Sequence, residues 1–257
     1  MNRKLKSHYD LTQLKQLTPA RIGLARAGSS ISTHEMLAFD LDHAQARDAV
    51  HLPFDSAAIG SRLDERQIQS ICVHSAAADR TTYLQRPDLG RQLDDPSRQR
   101  LKSYQLPDKE GYDLAMVIAD GLSTRAIHSN AIALIDCFQK QSAAYGWRWA
   151  PIVVASQARV ALADEIGEIL NARLTVILIG ERPGLSSADS MGIYLTYAPR
   201  IGHTDAQRNC ISNIRQAGLS PEKAARQLQV LISAAFKLGL SGVNLKTDKQ
   251  SQQGITI

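Results

Sequence analysis

The turn at residues 180–185 carries the most informative pair of charged side chains in the sequence. Glu181 and Arg182 follow the apolar run 174–179 after a single glycine, and a proline and a second glycine then bend the chain. An exposed ion pair contributes only about 0–1 kcal/mol to stability, so stability is a poor reason to place both charges on so constrained a turn. We interpret the turn as a ligand-recognition site. The alternative is a surface ion pair between the two side chains.

Two further turns follow apolar runs and carry polar residues. The turn 120–123, Asp-Gly-Leu-Ser, follows the run 114–119. Its glycine allows a ligand to approach the backbone, and Ser123 can cap the next helix. The turn 155–160 follows the run 152–154 and ends at Val160. Ligands bind beyond the carboxyl ends of the strands in open α/β sheets, so both turns are candidate parts of one site. Helix capping alone and a solvated loop are the respective alternatives.

The stretch 208–214, Arg-Asn-Cys-Ile-Ser-Asn-Ile, brings amides, a thiol and a hydroxyl together. We interpret it as the lining of a pocket. Cys210, taken alone, is better explained as a small buried hydrophobic residue than as a ligand contact.

The signatures of several common catalytic sites are absent from the sequence. It contains no Gly-x-Gly-x-x-Gly, no P-loop and no His-Glu-x-x-His, and its seven histidines lack metal-ligand spacing. The segment 121–123, Gly-Leu-Ser, is not completed by a glycine, so a serine nucleophile elbow is also missing. The residues alone indicate a pocket-bearing protein without a catalytic centre or metal site of its own.

Composition narrows the class of protein further. The 257 residues are 44% hydrophobic, enough for a sizeable core, and the net charge of +5 is dispersed rather than gathered into a basic stripe. We therefore expect no nucleic-acid partner. No apolar run reaches the about 18 residues that cross a bilayer, so we expect no membrane partner. Three widely separated cysteines favour a reducing cytoplasm over a disulfide framework.

The spacing of apolar residues predicts two N-terminal helices. Leu11, Leu14 and Leu17 recur every three residues, and a second helix is predicted over Thr33–Val50. The apolar stripe of this second helix consists of Met36, Leu37, Leu41 and Ala44.

From about Ile68 the pattern changes to short β-branched runs separated by amphipathic stretches, which is typical of βα units. We predict an α/β fold with a Rossmann-like, mostly parallel sheet and helices on both faces. A small helical N-terminal domain, residues 1–67, precedes the α/β domain of residues 68–257. The predicted strands are Ile71–His74, Leu114–Ala119, Ile152–Val154 and Leu174–Ile179, with Gly192–Tyr197 as an edge strand, and the predicted helices are Thr124–Tyr145, Asp164–Asn171 and Pro221–Leu238.

Seven stretches of the sequence are more distinctive than an ordinary helix, strand or turn requires. They are residues 17–24, 41–50, 83–91, 118–123, 164–168, 176–185 and 210–214. Together and in this order they resemble the small, or light, subunit of ethanolamine ammonia-lyase, over about residues 17–246.

The resemblance implies a lyase that uses adenosylcobalamin to convert ethanolamine to acetaldehyde and ammonia by radical chemistry. In this family the large, or heavy, subunit carries the substrate site in a barrel, and the small subunit covers part of the corrinoid. Matched position by position, the cobalamin contacts of the family fall on Val160, Glu181 and Cys210. No catalytic residue is expected here. The chain lacks Asp-x-His-x-x-Gly, in agreement with a cobalamin that keeps its own benzimidazole ligand.

Three positions depart from the family pattern. Ala25, Ala158 and Ala163 stand where the family commonly has glycine, and a methyl group before Val160 can displace the loop unless φ there is negative. The chain also starts close to the shared region, without the extension that some members have and that is linked to bacterial microcompartments. We expect a cytoplasmic location, with a microcompartment as the second candidate.

Two other functions are compatible with the residues. The Rossmann-like pattern suggests a stand-alone nucleotide-binding α/β enzyme, although its glycine fingerprint is missing. The charged N-terminal helices suggest a non-enzymatic scaffold subunit.

Overall fold

The N-terminal part of the chain contains both predicted helices and a third that the periodicity does not predict. The computed structural model describes residues 11–18, 20–105 and 111–245. Its first elements are α1 (Leu11–Leu17), β1 (Arg26–Ala27), β2 (Ser30–Ile31), α2 (Thr33–His51) and α3 (Ser56–Asp64). The hydroxyl of Ser32 accepts a hydrogen bond from the Glu35 amide at 3.4 Å and so caps the start of α2.

The apolar stripe of α2 faces solvent. Ala49 is the one buried residue of this helix, whereas Leu37 and Leu41, one turn apart, are 61% and 59% exposed. Met36 is also exposed. Contiguous apolar surface of this kind marks an interaction site more often than a free surface.

Six strands form the main sheet. They are β3 (Ser70–His74), β4 (Tyr112–Ala119), β5 (Ile152–Ser156), β6 (Ala172–Gly180), β7 (Met191–Tyr197) and β8 (Arg208–Ile214). Their order across the sheet is β3-β5-β4-β6-β7-β8. The first four run parallel, and β7 and β8 are each antiparallel to the strand before them. The prediction of a mixed α/β fold with a mostly parallel sheet is therefore confirmed.

The prediction that Gly192–Tyr197 is an edge strand was wrong. It forms most of β7, which pairs with β6 on one side and with β8 on the other. The stretch 208–214, interpreted as a pocket lining, is the edge strand β8. The polar residues of this segment made it look unlike a strand. They occur because an antiparallel edge strand with one solvated face alternates polar and apolar residues. Ile211 is buried in the core, while Cys210 and Ser212 on either side of it are exposed.

Helices cover the sheet on both faces. They are α4 (Arg80–Gln85), α5 (Asp95–Lys102), α6 (Thr124–Ser142), α7 (Leu162–Ile169) and α8 (Pro221–Leu238). One core cluster lies between the sheet and α3, α6 and α8, and includes Ile59 and Leu63 of α3. A second cluster packs the opposite face against α5 and α7. Among the described residues, no helix is both long and apolar enough to cross a membrane.

Candidate functional site

None of the described helices covers one face of the last two strands. On the other face, Ile193 and Ile211 are buried in the first core cluster with α6 and α8. On the uncovered face, Cys210 and Ser212 are exposed and Tyr194 is half-buried. We call this surface, with Glu181 at its margin, the open sheet face.

Glu181 lies where β6 ends and reaches over β7 toward β8. Its Oε2 accepts a hydrogen bond from the Ser190 hydroxyl at 2.5 Å, and its Oε1 accepts one from the Ser212 hydroxyl at 2.5 Å. The amide of Asn213 adds a longer bond of 3.3 Å. A Cβ on Gly192 would stand 3.0 Å from Oε1, so the glycine makes room for the side chain.

The alternative interpretation of this turn, an ion pair between Glu181 and Arg182, does not describe the structure. Hydroxyls and a backbone amide hold the Glu181 carboxylate, and Arg182 is exposed. Each carboxylate oxygen accepts two hydrogen bonds, so Oε2 is filled by Ser190 and Asn213, and Oε1, bonded to Ser212, can accept one further donor.

Cys210 stands directly beside Tyr194 in the register of β7 and β8. The residue is exposed, so the interpretation of Cys210 as a small buried hydrophobic residue is wrong. Partial desolvation nevertheless raises the pKa of its thiol, against a hydrogen bond from Tyr194 that lowers it, and the Glu181 carboxylate raises it further. Desolvation also raises the pKa of Tyr194. Glu181, Tyr194 and Cys210 thus form one electrostatically connected group.

Val160 lies in the loop that leaves the carboxyl end of β5, residues 157–161. Its half-buried side chain packs against the second core cluster, as does Tyr194. Val160 also lines a cleft of 840 Å³ whose other residues come from the segment after α4, from α5 and α7, and from β8 and the loop before it. The three residues matched to the family's contacts therefore lie on the same side of the sheet, with Glu181 and Cys210 together on the open sheet face.

Buried ion pairs form one wall of this cleft. Asp164 pairs with Arg208, both almost fully buried, and Glu165 pairs with Arg98 at 2.5 Å. Glu165 also accepts the Leu93 amide at 2.8 Å. The acidic start of α7 therefore joins this helix to β8 and to the segment before α5.

The turn after β4 holds the 157–161 loop in place. Asp120, 1% exposed, accepts hydrogen bonds from the amides of Gln157 and Ala158, each at 3.0 Å. Desolvation raises the pKa of Asp120, and the hydrogen bonds from these amides, together with the charge of Arg80, oppose that rise. Arg80 donates to the same carboxylate at 3.1 Å.

Other parts of this turn act as structure rather than as ligand contacts. Ser123 caps α6 as predicted, since its hydroxyl accepts the Ala126 amide at 3.2 Å. Gly121 has a φ of 58°, and a Cβ there would stand 2.3 Å from the Gly180 carbonyl oxygen. Gly121 therefore lets the end of β6 pack closely against this turn. The expectation that it lets a ligand approach the backbone was wrong.

Sequence reasoning missed a stack of three side chains beneath the loop. The guanidinium groups of Arg80 and Arg159 lie 4.8 and 4.2 Å from the centre of the Tyr83 ring. The fully buried Tyr83 donates its hydroxyl to the Ala158 carbonyl at 3.0 Å. Tyr83 stands in one of the stretches that carry the resemblance, but Arg80 stands in none and has no local motif.

The departures from the family pattern do not strain the chain. Ala25, Ala158 and Ala163 are not among the residues with positive φ. A methyl group is tolerated at each of them, and Ala158 keeps both its amide and its carbonyl hydrogen bond.

Comparison with known proteins agrees with the resemblance over nearly the whole chain. The family model of the ethanolamine ammonia-lyase light chain matches residues 8–246. A Pseudomonas fluorescens ethanolamine ammonia-lyase small subunit is 55% identical over 240 residues, which cover 93% of this chain and 88% of that protein. The corresponding small subunit from Pseudomonas syringae pv. tomato is 54% identical over 238 residues, 93% of this chain and 83% of that protein. The small subunit from Pseudomonas paraeruginosa is 55% identical over 239 residues, again 93% and 88%. The chain belongs to the ethanolamine ammonia-lyase light-chain family.

Proposed function

We propose that the chain is the small subunit of an adenosylcobalamin-dependent ethanolamine ammonia-lyase, in which it contacts part of the corrinoid through the open sheet face and the 157–161 loop. The observation that carries this proposal is the Glu181 carboxylate, fixed by two serine hydroxyls beside the exposed Cys210 on an uncovered sheet face. Orientation before binding lowers the entropic cost of recognition.

The residues of the site fit the chemistry of a corrinoid. A corrin ring presents broad carbon surfaces and a rim of amides, so it needs apolar cover together with hydrogen-bond acceptors. Val160 supplies carbon surface at the loop, and Glu181 supplies an acceptor for amide N–H groups. Cys210 contacts the ligand by packing or through its backbone. When bound, adenosylcobalamin supplies radical chemistry through homolysis of its cobalt–carbon bond.

The partner in this proposal is the large, or heavy, subunit, which holds ethanolamine. The exposed apolar stripe of α2 supports a docking role for the N-terminal helices, because no described part of the chain covers Leu37 and Leu41. This stripe, rather than the charged faces of α2, is the stronger reason to expect association there.

In this proposal the chain divides into two domains. We describe residues 68–257 as a Rossmann-like cobalamin-contacting domain, and residues 1–67 as a helical N-terminal domain. The helix α3, at the end of this N-terminal part, packs Ile59 and Leu63 into the core of the sheet. The three free cysteines support a reducing location such as the cytoplasm.

Co-expression with the large subunit tests the function directly. The purified complex, supplied with adenosylcobalamin, is expected to release acetaldehyde from ethanolamine. The two alternatives give different results: a stand-alone nucleotide-binding enzyme needs no large subunit, and a scaffold subunit leaves cobalamin affinity unchanged when Glu181 is replaced. A complex that forms but neither binds cobalamin nor produces acetaldehyde contradicts the proposal.

A further inference from the structure

Arg80 connects three parts of the chain that are distant in sequence. Its Nε donates to the carbonyl of Val50, in the last turn of α2, at 2.7 Å. Its Nη1 donates to Asp120 Oδ2 at 3.1 Å and to Gln157 Oε1 at 3.3 Å. A single guanidinium therefore joins α2, the turn after β4 and the 157–161 loop.

The loop depends on these contacts because it begins in an unfavourable backbone conformation. Gln157 has a φ of 55°, in the left-handed region that residues other than glycine seldom occupy. Its amide donates to Asp120 at 3.0 Å, and its side-chain oxygen accepts from Arg80. The surroundings thus hold Gln157 from both its backbone and its side chain.

The burial of Asp120 also makes its ion pair with Arg80 necessary. Asp120 is buried, and a buried carboxylate needs a counterion and hydrogen bonds. Arg80 is its ion-pair partner, with a side chain that is itself only 17% exposed. A positive group at the last turn of a helix is favourable as well, because the free carbonyls there carry partial negative charge. Arg80 therefore cannot release one of these partners without affecting the others.

We propose that Arg80 is a positioning residue that couples docking of the large subunit on α2 to the placement of the loop that carries Val160. This inference rests on the proposed function. A displacement of α2 moves the Val50 carbonyl, and the same guanidinium transmits that displacement to Asp120 and Gln157. Because coupling between two binding sites is reciprocal, cobalamin at the loop tightens subunit association through the same residue.

The test uses the assembled complex with Arg80→Lys. Lysine keeps the positive charge but loses the planar fork that reaches several acceptors at once. We expect the dissociation constant for cobalamin to rise about tenfold, within the usual range of coupling between sites. Association of the subunits without cofactor should stay at the wild-type value, and the melting temperature of the small subunit should fall only slightly, because the lysine ammonium still neutralises Asp120. Hydrogen exchange of the amides in the 157–161 loop should become faster in the cofactor-free complex.

The matched control is Arg86→Lys. Arg86 lies at the end of the same short helix, but it pairs with Asp88 at the surface, where both side chains are exposed. This variant should bind cobalamin like the wild type and leave loop exchange unchanged.

Two results overturn the inference. One is wild-type cobalamin affinity and loop exchange in Arg80→Lys. The other is a loss of cobalamin affinity that merely parallels lower melting and weaker cofactor-free association, since that is a purely structural role. If Arg80→Lys does not fold, Gln157→Asn decides, because asparagine keeps a side chain at the left-handed φ while its shorter amide withdraws the acceptor from Arg80. Gln157→Asn should show the same tenfold loss, and unchanged affinity overturns the coupling.

Glu181→Ala separates this inference from the proposed function. If Glu181→Ala binds cobalamin more weakly and Arg80→Lys binds it like the wild type, the coupling through Arg80 is contradicted but the proposed cofactor site is not. No effect of either variant defeats the proposed cofactor site as well.

Discussion

Glu181 Oε1 and the hydroxyl of Ser212 lie 2.5 Å apart and join the end of β6 to the edge strand β8 across β7. Ser190 holds the other carboxylate oxygen at the same distance. Because both hydroxyls donate to the carboxylate, its orientation is set before any ligand arrives. The same arrangement makes the charge of Glu181 testable, since a neutral amide cannot accept from both serines equally well.

Replacing Glu181 should weaken cobalamin binding by the assembled complex. We expect Glu181→Ala to raise the dissociation constant about ten- to a hundredfold, because hydrogen bonds to charged groups contribute roughly 1.5–3 kcal/mol. Glu181→Gln keeps the shape but loses the charge, so its affinity should lie between those of wild type and Glu181→Ala. Spectroscopic titration of the complex with cobalamin measures the effect.

The control for this experiment is Arg182→Gln, at the adjacent exposed position. It should leave cobalamin affinity unchanged. Melting of the isolated subunit, measured in parallel, separates loss of a ligand contact from loss of the β6–β8 connection. Wild-type affinity in Glu181→Ala, with the complex intact, would contradict the contact.

The isolated chain should have almost no lyase activity, even with adenosylcobalamin. Its described residues form a proposed cofactor-contact surface but include no group assigned to process the substrate, and the proposed substrate site lies on the large subunit. An acetaldehyde assay with and without the large subunit measures this. Robust turnover by the chain and cofactor alone would refute its role as a subunit.

Polar substitution on α2 should weaken subunit association without unfolding the α/β core. The double variant Leu37→Ser/Leu41→Ser removes two side chains that are already exposed in the free chain. Each buried leucine contributes about 1.5–3 kcal/mol on full burial, so a loss of tenfold or more in subunit affinity is expected. Leu238→Ser, at the end of α8 and 51% exposed, is the matched control.

Removal of the N-terminal segment is informative only if the cut spares α3. Ile59 and Leu63 are fully buried in the first core cluster, so deletion up to residue 67 would destabilise the sheet as well as remove α2. Deletion up to residue 52 removes α1, β1, β2 and α2, and spares both α3 and Phe54, which packs against the same cluster. Analytical ultracentrifugation should then show weaker association, with cooperative melting retained, and unchanged association would refute docking through these helices.

Alkylation of Cys210 should be slow at neutral pH despite its exposure. Desolvation raises the pKa of this thiol, so less reactive thiolate is present at a given pH than for an ordinary cysteine. The rate should increase as pH rises toward the elevated pKa. Tyr194→Phe removes a hydrogen bond that lowers this pKa, so it should slow the reaction further. Mass spectrometry of the Cys210 peptide follows the modification, and faster alkylation in Tyr194→Phe would contradict the assignment.

Local signals in the sequence account for the elements that were predicted well. The predicted helix Pro221–Leu238 has the observed bounds, since proline is favoured at the first position of a helix; in the structure Ser220 caps its start, and Gly239 ends it with a φ of 68°. The strand β8 escaped prediction because its polar face reads as a loop when its partner strand is unknown. The role of Arg80 was equally hidden, since Val50, Asp120 and Gln157 lie 30, 40 and 77 residues away from it.

The exposed stripe of α2 affects the solubility of the small subunit before it binds the large one. Apolar surface that is ready for a partner is equally ready for another copy of the same chain. At high concentration the free small subunit will therefore self-associate or precipitate. Simultaneous synthesis of the two subunits would then be needed for solubility as well as for activity, because the large subunit would cover the apolar stripe of the small one.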